Sequence, residues 1–249
     1  MPDTDMETND DGGRPYSCRQ PSVLKPLSEL RAPVDWMSIA LRAPQLLTAP
    51  RGDGRPVMLL PGLMASDLSM RPLGAYLSFL GYTARQWGLG FNQGKVYRDV
   101  DRFGARVRAF SHARGGAPVT LIGWSLGGVI ARESARLQSD IIREVITLGT
   151  PIIGGPKYTS VGGFYARTQG IDMDRFEQMV HERNALGLTQ PVTSIYSKND
   201  GIVDWRASVD VYNDHARNIE VNASHFGLGL SAQVWREIAK TLAASKAHK

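Results

Sequence analysis

One cysteine, Cys18, is all the chain has. A single thiol excludes an intramolecular disulfide and any metal site built on cysteine pairs, and it agrees with a reducing compartment. Long apolar runs are also missing: none approaches the roughly 18–20 residues that span a bilayer. Residues 1–20 are polar and acidic, with neither a basic first region nor an apolar second one. They do not read as a secretory signal, and the expectation is a cytoplasmic protein. No internal repeat is present, and no stretch interleaves cations with aromatics, so nucleic acid is not expected as a partner. Gly94-Lys95 hints at a phosphate loop, but the upstream glycine is wrongly spaced and Val96 stands where a hydroxyl is needed. Arg51-Gly52-Asp53 spells an adhesion tripeptide and reads as a surface loop.

The 249 residues, 42% of them hydrophobic, suffice for one sizeable core. The net charge is +5, but Asp3, Asp5, Glu7, Asp10 and Asp11 crowd into the first residues, so the remainder is more basic. A basic body can be drawn to anionic surfaces; the plainer reading is a solvated, arginine-rich exterior. Membrane contact is thus open without support, and the oligomeric state is undetermined. Three parts are expected: a disordered acidic tail over 1–22, a helical segment over 23–50 interrupted by Pro26, Pro33 and Pro44, and an α/β domain over 51–249. In the helical segment Leu27, Leu30, Val34, Met37, Ile39, Leu41 and Leu46 supply apolar faces. A membrane-surface or lid element is one reading. Few cations accompany these residues, which favours helices packed on the core.

Short apolar runs at 57–60, 119–122 and 145–148 are of the kind buried in parallel sheets, and another strand is expected at 192–196. Further strands are expected at 82–87 and 218–221. Helices are expected at 68–80, capped by Asp67, then at 96–114, 126–138, 206–215 and 232–244. The alternation argues for a mostly parallel sheet covered by helices on both faces, with ligands at the edge formed by the strand C-termini. Residues 152–190, glycine-rich and then helical near 173–186, break the rhythm and read as a cap or lid inserted over that edge.

Gly123-Trp124-Ser125-Leu126-Gly127 joins a strand to a helix, which is the sequence form of a nucleophile elbow. The pentapeptide alone is also a plausible glycine-rich turn, so the rest of the chain must supply a base, an acid and anion-binding amides. Of the five histidines, only His225 follows the last strand on a loop at the ligand edge; His112, His181, His215 and His248 fall on helices, in the cap or in the tail. Asp200 follows the strand at 192–196, with Gly201 allowing a tight turn. Asp204 is its rival, and helix capping is the role expected of it. The order Ser125, Asp200, His225 is the order of α/β hydrolytic sites built on an elbow. Two backbone N–H groups are needed for a developing oxyanion. Leu126, at a helix start, and Leu63, after Pro61-Gly62, are the candidates, with Met64 as the neighbour if the turn is shifted.

These residues resemble the α/β-hydrolase superfamily, in its lipase/esterase-like branch. Pro61-Gly62-Leu63 is similar to its His-Gly-x oxyanion loop, Gly123 to Gly128 to its G-x-S-x-G-G box, and Gly149-Thr150-Pro151 to a G-T-P segment after the next strand. The family often has histidine at the next position, where this chain has Ile152. The resemblance covers about residues 56–245. It implies an α/β-hydrolase fold and hydrolysis of carboxylic esters through an acyl-enzyme, with Ser125 as nucleophile, His225 as base and Asp200 holding the imidazole. A small-molecule or lipid ester is the implied partner, and no metal or organic cofactor is implied. Leu63, Met64, Trp124, Leu126 and Phe226 suggest a lipophilic ester, or plain core packing. A thioesterase, amidase or acyltransferase with the same residues, or a non-catalytic binder on the same fold, remain the alternatives.

Overall fold

The computed structural model describes residues 17–245, residue 171 excepted; most of the acidic stretch and His248 lie outside the described residues. Six strands form one parallel sheet: β1 (Pro56–Leu60), β2 (Thr83–Gln86), β3 (Val119–Trp124), β4 (Ile142–Leu148), β5 (Val192–Tyr196) and β6 (Arg217–Glu220). Their spatial order is β2-β1-β3-β4-β5-β6. The apolar runs occupy the centre, and β2 and β6, with Thr-Ala-Arg-Gln and Arg-Asn-Ile-Glu, take the edges where polar side chains meet water.

Alternate residues of each central strand serve opposite layers, as the two-residue period requires. Val57, Leu59, Ile122, Ile146 and Ile195 pack on one side, and Met58, Leu60, Leu121 and Val145 on the other. The helices, in chain order, are α1 (Ala32–Leu41), α2 (Ala43–Leu47), α3 (Asp67–Leu80), α4 (Val96–His112), α5 (Leu126–Leu137), α6 (Gly162–Gln169), α7 (Met173–Ala185), α8 (Trp205–Ser208), α9 (His225–Gly229) and α10 (Ala232–Ala244). Leu73 and Leu77 of α3 and Trp235, Ile238 and Leu242 of α10 fill the first layer. Phe103 and Val107 of α4 and Ile130 and Ala131 of α5 fill the second. Between β4 and β5 the chain forms a 3-10 turn (Gly155–Tyr158), α6 and α7.

Pro33 and Pro44 sit at the starts of α1 and α2, where a missing N–H costs nothing. A 3-10 helix, Lys25–Arg31, precedes them. The expected burial of this segment's apolar residues is partial: Leu46 lies in the core and Ile39 packs against it. Leu24, Leu27, Leu30, Val34, Met37 and Leu41 are exposed, and the buried residues of α1 are Ala32 and Asp35. Two smaller expectations also fail. The helix expected at 206–215 ends at Ser208, because Asp210 and Asn218 divert the backbone into side-chain hydrogen bonds. Asp67 does not cap α3; its Oδ1 accepts from Gly88 N at 3.2 Å.

Strand order positions the site. From β1 the chain moves outward to β2, then returns past β1 to β3 and continues the opposite way. The carboxyl ends of β1 and β3 therefore flank the switch point, where open α/β sheets place their ligand crevice. No helix among the described residues is long and apolar enough to cross a membrane.

Candidate active site

Ser125 stands at the end of β3 with φ 53° and ψ −124°. A positive φ in a non-glycine residue is a strained conformation that persists only where its surroundings enforce it. Here Ser125 N donates to Leu148 O at 2.8 Å, and Ser125 O accepts from Gly128 N at 2.9 Å and Thr150 Oγ1 at 2.9 Å. The tight turn explains the glycine before it: a Cβ on Gly123 would lie 2.4 Å from Gly127 O and Gly128 Cα.

The loop after β1 comes equally close. A Cβ on Gly62 would stand 3.3 Å from Ser125 Cβ. Among the described residues the N–H of Leu63 has no acceptor. Leu126 N belongs to the first turn of α5, whose N–H groups have no intrahelical partner. The alternative, Met64, is otherwise engaged: its N–H donates to Asn92 O at 2.8 Å.

Asp200 and His225 are both buried and joined, His225 Nδ1 lying 2.7 Å from Asp200 Oδ2. The other oxygen, Oδ1, accepts from Ile202 N and Val203 N at 2.8 Å each, which fixes the carboxylate plane. Burial by itself would push the His225 pKa down. The charge and hydrogen bond of Asp200 oppose this, helped by the charge of Glu29, and the net direction is up from 6.5. Trp124, one residue before Ser125, packs its indole 5.8 Å from the imidazole and donates Nε1 to His225 O at 3.1 Å. Ser125 stands at the same sheet edge, with no Ser125–His225 hydrogen bond among the described residues. Gly149, with φ 55°, lines the acid–imidazole pair; a Cβ there would sit 2.9 Å from Asp200 Oδ2 and 2.5 Å from Leu228 Cδ1.

Asp204 takes the place expected of it. It caps α8, accepting from Arg206 N, and its Oδ2 accepts from Arg19 N at 2.7 Å. Of the other described histidines, His181 pairs with Tyr212 Oη, His215 with Gln190 O, and His112 ends α4.

Two acidic residues of the N-terminal segment were not anticipated. Glu29 Oε1 accepts from Gly201 N at 2.8 Å and His225 N at 2.9 Å, and its Oε2 from Phe226 N at 2.9 Å. One carboxylate thus ties the loop of Asp200 to the loop of His225. Asp35 Oδ2 accepts from Ser224 N and Ser224 Oγ, each at 2.8 Å. The available signal was that these are the only acids between residues 17 and 52.

A cavity of about 800 Å³ opens on Ser125. Its floor includes Leu63 and Leu126, and its roof comes from the inserted cap, including Val161, Tyr165, Phe176 and Met179. That volume suits a small-molecule site. Trp124 belongs to the core instead, and Met64 and Phe226 are exposed. The cap is anchored through Asn184, which donates Nδ2 to Ile152 O and accepts from Arg132 and Arg136 of α5.

The fold is the α/β-hydrolase fold. A Bacillus licheniformis lipase in its mature form is similar over 78% of this chain and 94% of its own, with 18% identity and a TM-score of 0.55. A monoacylglycerol lipase of Paleococcus ferrophilus is similar over 79% and 96%, with 16% identity and a TM-score of 0.58. A lipase-esterase related protein of Clostridium acetobutylicum is similar over 79% and 97%, with 16% identity and a TM-score of 0.54. No protein-family model matches the sequence, and no curated protein matches it.

Proposed function

We propose that this protein is a serine hydrolase that cleaves carboxylic esters with a lipophilic acyl group. The observation that carries the reading is the strained Ser125, opening on a largely apolar cavity beside a buried Asp200–His225 pair. The names of the similar structures, lipases and a lipase-related protein, favour the same chemistry.

In this reading Ser125 Oγ attacks the ester carbonyl while His225 Nε2 takes its proton. Asp200 accepts the His225 Nδ1–H bond, which leaves Nε2 as the unprotonated nitrogen that can take the serine proton, and its charge stabilises the imidazolium as it forms. The Leu63 and Leu126 amides receive the oxyanion, aided by the N-terminal dipole of α5. Collapse expels the alkoxide, which takes the proton back from His225. Water then attacks the acyl-enzyme by the same route, releasing the acid and restoring Ser125.

Hydrolysis of p-nitrophenyl esters from acetyl to palmitoyl tests the proposal. Turnover should favour chains longer than acetyl and fall by roughly 10³-fold or more in Ser125→Ala. A fluorophosphonate should label the wild type and not the variant. Absence of both turnover and labelling would overturn the reading in favour of a binding protein.

A further inference from the structure

Asn92, on the loop after β2, is wholly buried. Burying an amide is costly unless it is bonded, and this one is bonded to the turn that follows β1. Asn92 Nδ2 donates to Pro61 O at 2.9 Å, and its Oδ1 accepts from Gly94 N at 3.1 Å. Its backbone holds the same turn further on: Asn92 O accepts from Met64 N and Asn92 N donates to Ala65 O, each at 2.8 Å. The unpaired N–H of Leu63 lies between these bonds. The peptide that carries it has its own carbonyl, Gly62 O, bonded by Ala65 N at 3.2 Å. A trans peptide points its N–H opposite to its C=O, so whatever fixes this turn fixes the direction of Leu63 N–H.

The turn needs holding because it is strained. Met64, a non-glycine residue, has φ 56°, a conformation that persists only where its surroundings enforce it. Its side chain is exposed, so packing does not enforce it. The bonds to Asn92 do. Asn92 is anchored in turn by Trp87, fully buried, whose N donates to Leu59 O and whose Nε1 donates to Gly90 O, each at 3.0 Å.

The cap reaches the same place. Tyr165 of α6 donates Oη to Gly94 O at 2.9 Å. A Cβ on Gly94 would lie 3.0 Å from Tyr165 Cε2, 3.1 Å from Leu63 Cδ1 and 3.8 Å from Leu126 Cδ2. The roof of the cavity and the side chains of both candidate amide donors therefore meet at one glycine. A chain of hydrogen bonds runs from Tyr165 through Gly94 and Asn92 to Pro61.

We infer that Asn92 is a positioning residue of the oxyanion site, which aims Leu63 N–H and transmits to it the seating of Tyr165. Asn92 does not line the cavity, so it acts through Leu63 and not on the substrate. The inference rests on the hydrolase reading above and adds a residue that reading does not use.

Hydrolysis of p-nitrophenyl butyrate, below the melting temperature of every protein compared, tests it. Asn92→Leu keeps the bulk and Asn92→Ala does not; both lose the bonds to Pro61 and Gly94. Removing an oxyanion donor costs roughly 10²–10³-fold in kcat, so a misaimed one should cost about 10–100-fold. KM should stay within about threefold, since the interaction lost is made in the transition state. The acid limb of the pH profile should stay in place, because His225 is untouched. A trifluoromethyl ketone, whose serine adduct carries the oxyanion, should weaken by the same factor as kcat/KM. Tyr165→Phe removes one hydroxyl from a half-buried ring and spares the fold. It should lower kcat severalfold alone and by less when Asn92 is already replaced. Should neither Asn92 variant fold, Tyr165→Phe decides by itself. Wild-type kcat in the folded variants would overturn the inference. So would a loss that falls on KM or moves the acid limb, which would make Asn92 a packing residue. A wild type that neither turns over esters nor takes a fluorophosphonate fails the hydrolase reading itself, whereas an active wild type matched by its variants fails this inference alone.

Discussion

Replacing Glu29 should perturb the chemistry, although its carboxylate holds only backbone. It accepts three N–H groups at 2.8–2.9 Å, two on the His225 loop and one on the Asp200 loop. Bonds to a charged acceptor are worth about 1.5–3 kcal/mol each when dry. Glu29 is half-buried and Phe226 is exposed, so water can replace part of this, and roughly 1 kcal/mol per bond is the sensible figure. Glu29→Ala should therefore cost about 2–3 kcal/mol. At roughly 2–4 °C per kcal/mol for a domain of this size, the melting temperature should fall by about 5–10 °C. Loosening the two loops by a fraction of an ångström to one ångström should lower kcat/KM by roughly 10–100-fold.

A pH profile separates positioning from plain destabilisation. In the proposed mechanism the base is neutral His225, so activity should rise as pH climbs through its pKa, which is raised above 6.5. Glu29 is one of the charges raising it. Removing that charge lowers the pKa and moves the acid limb of kcat/KM to lower pH. Glu29→Gln keeps an acceptor oxygen but not the charge. It should move the limb as Glu29→Ala does while losing less stability. Stopped assays on p-nitrophenyl butyrate, at temperatures where all three proteins are folded, give the profiles. If kcat/KM and the acid limb are both unchanged in the two variants, Glu29 does not position the pair and the reasoning fails.

Asp200→Asn should reduce kcat by roughly 10³–10⁴-fold, because the amide favours the wrong imidazole tautomer. Asp204→Asn should leave kcat within a fewfold of wild type, and parity between these two variants would reverse the assignment. Glu144, buried in β4, accepts from Thr120 Oγ1 at 3.0 Å and Ser245 Oγ at 2.9 Å, and burial pushes its pKa up despite these bonds. The folded state therefore favours the protonated form, and the ionised form is a liability above the carboxylate range. Glu144→Gln should raise the melting temperature at neutral pH, with the gain fading as pH falls through that range; a loss at neutral pH would show that the charge is compensated.

The sheet was legible because its strands follow a rule with one answer. Runs such as Val57 to Leu60 and Val119 to Ile122 are apolar on both faces, and only the interior of a parallel sheet demands that. The closing helix fell at Ala232–Ala244 as expected, because its apolar period meets a core that needs it. Asp200 and His225 could be placed for a similar reason: each follows a strand, and strand ends share one edge. The helix expected to continue to residue 215 had no such constraint, and local hydrogen bonds from Asp210 and Asn218 decided the backbone there.

The N-terminal segment shows what periodicity leaves open. The spacing of Leu27, Leu30, Val34, Met37 and Leu41 gives the helix and its apolar row, but a period has no sign. The usual inference that the apolar face turns inward rests on the body offering an apolar surface to meet it. Here the body offers N–H groups. Gly201 sits on a tight turn and Ser224, His225 and Phe226 at the start of α9, where N–H groups have no intrahelical partner, and an amide left unpaired costs more than an exposed leucine. Glu29 and Asp35 answer that need, so they turn inward beside Ala32 and Ile39, and the row of Leu27, Leu30 and Leu41 turns out. The same two carboxylates thereby link the surface that the segment presents to the geometry of His225.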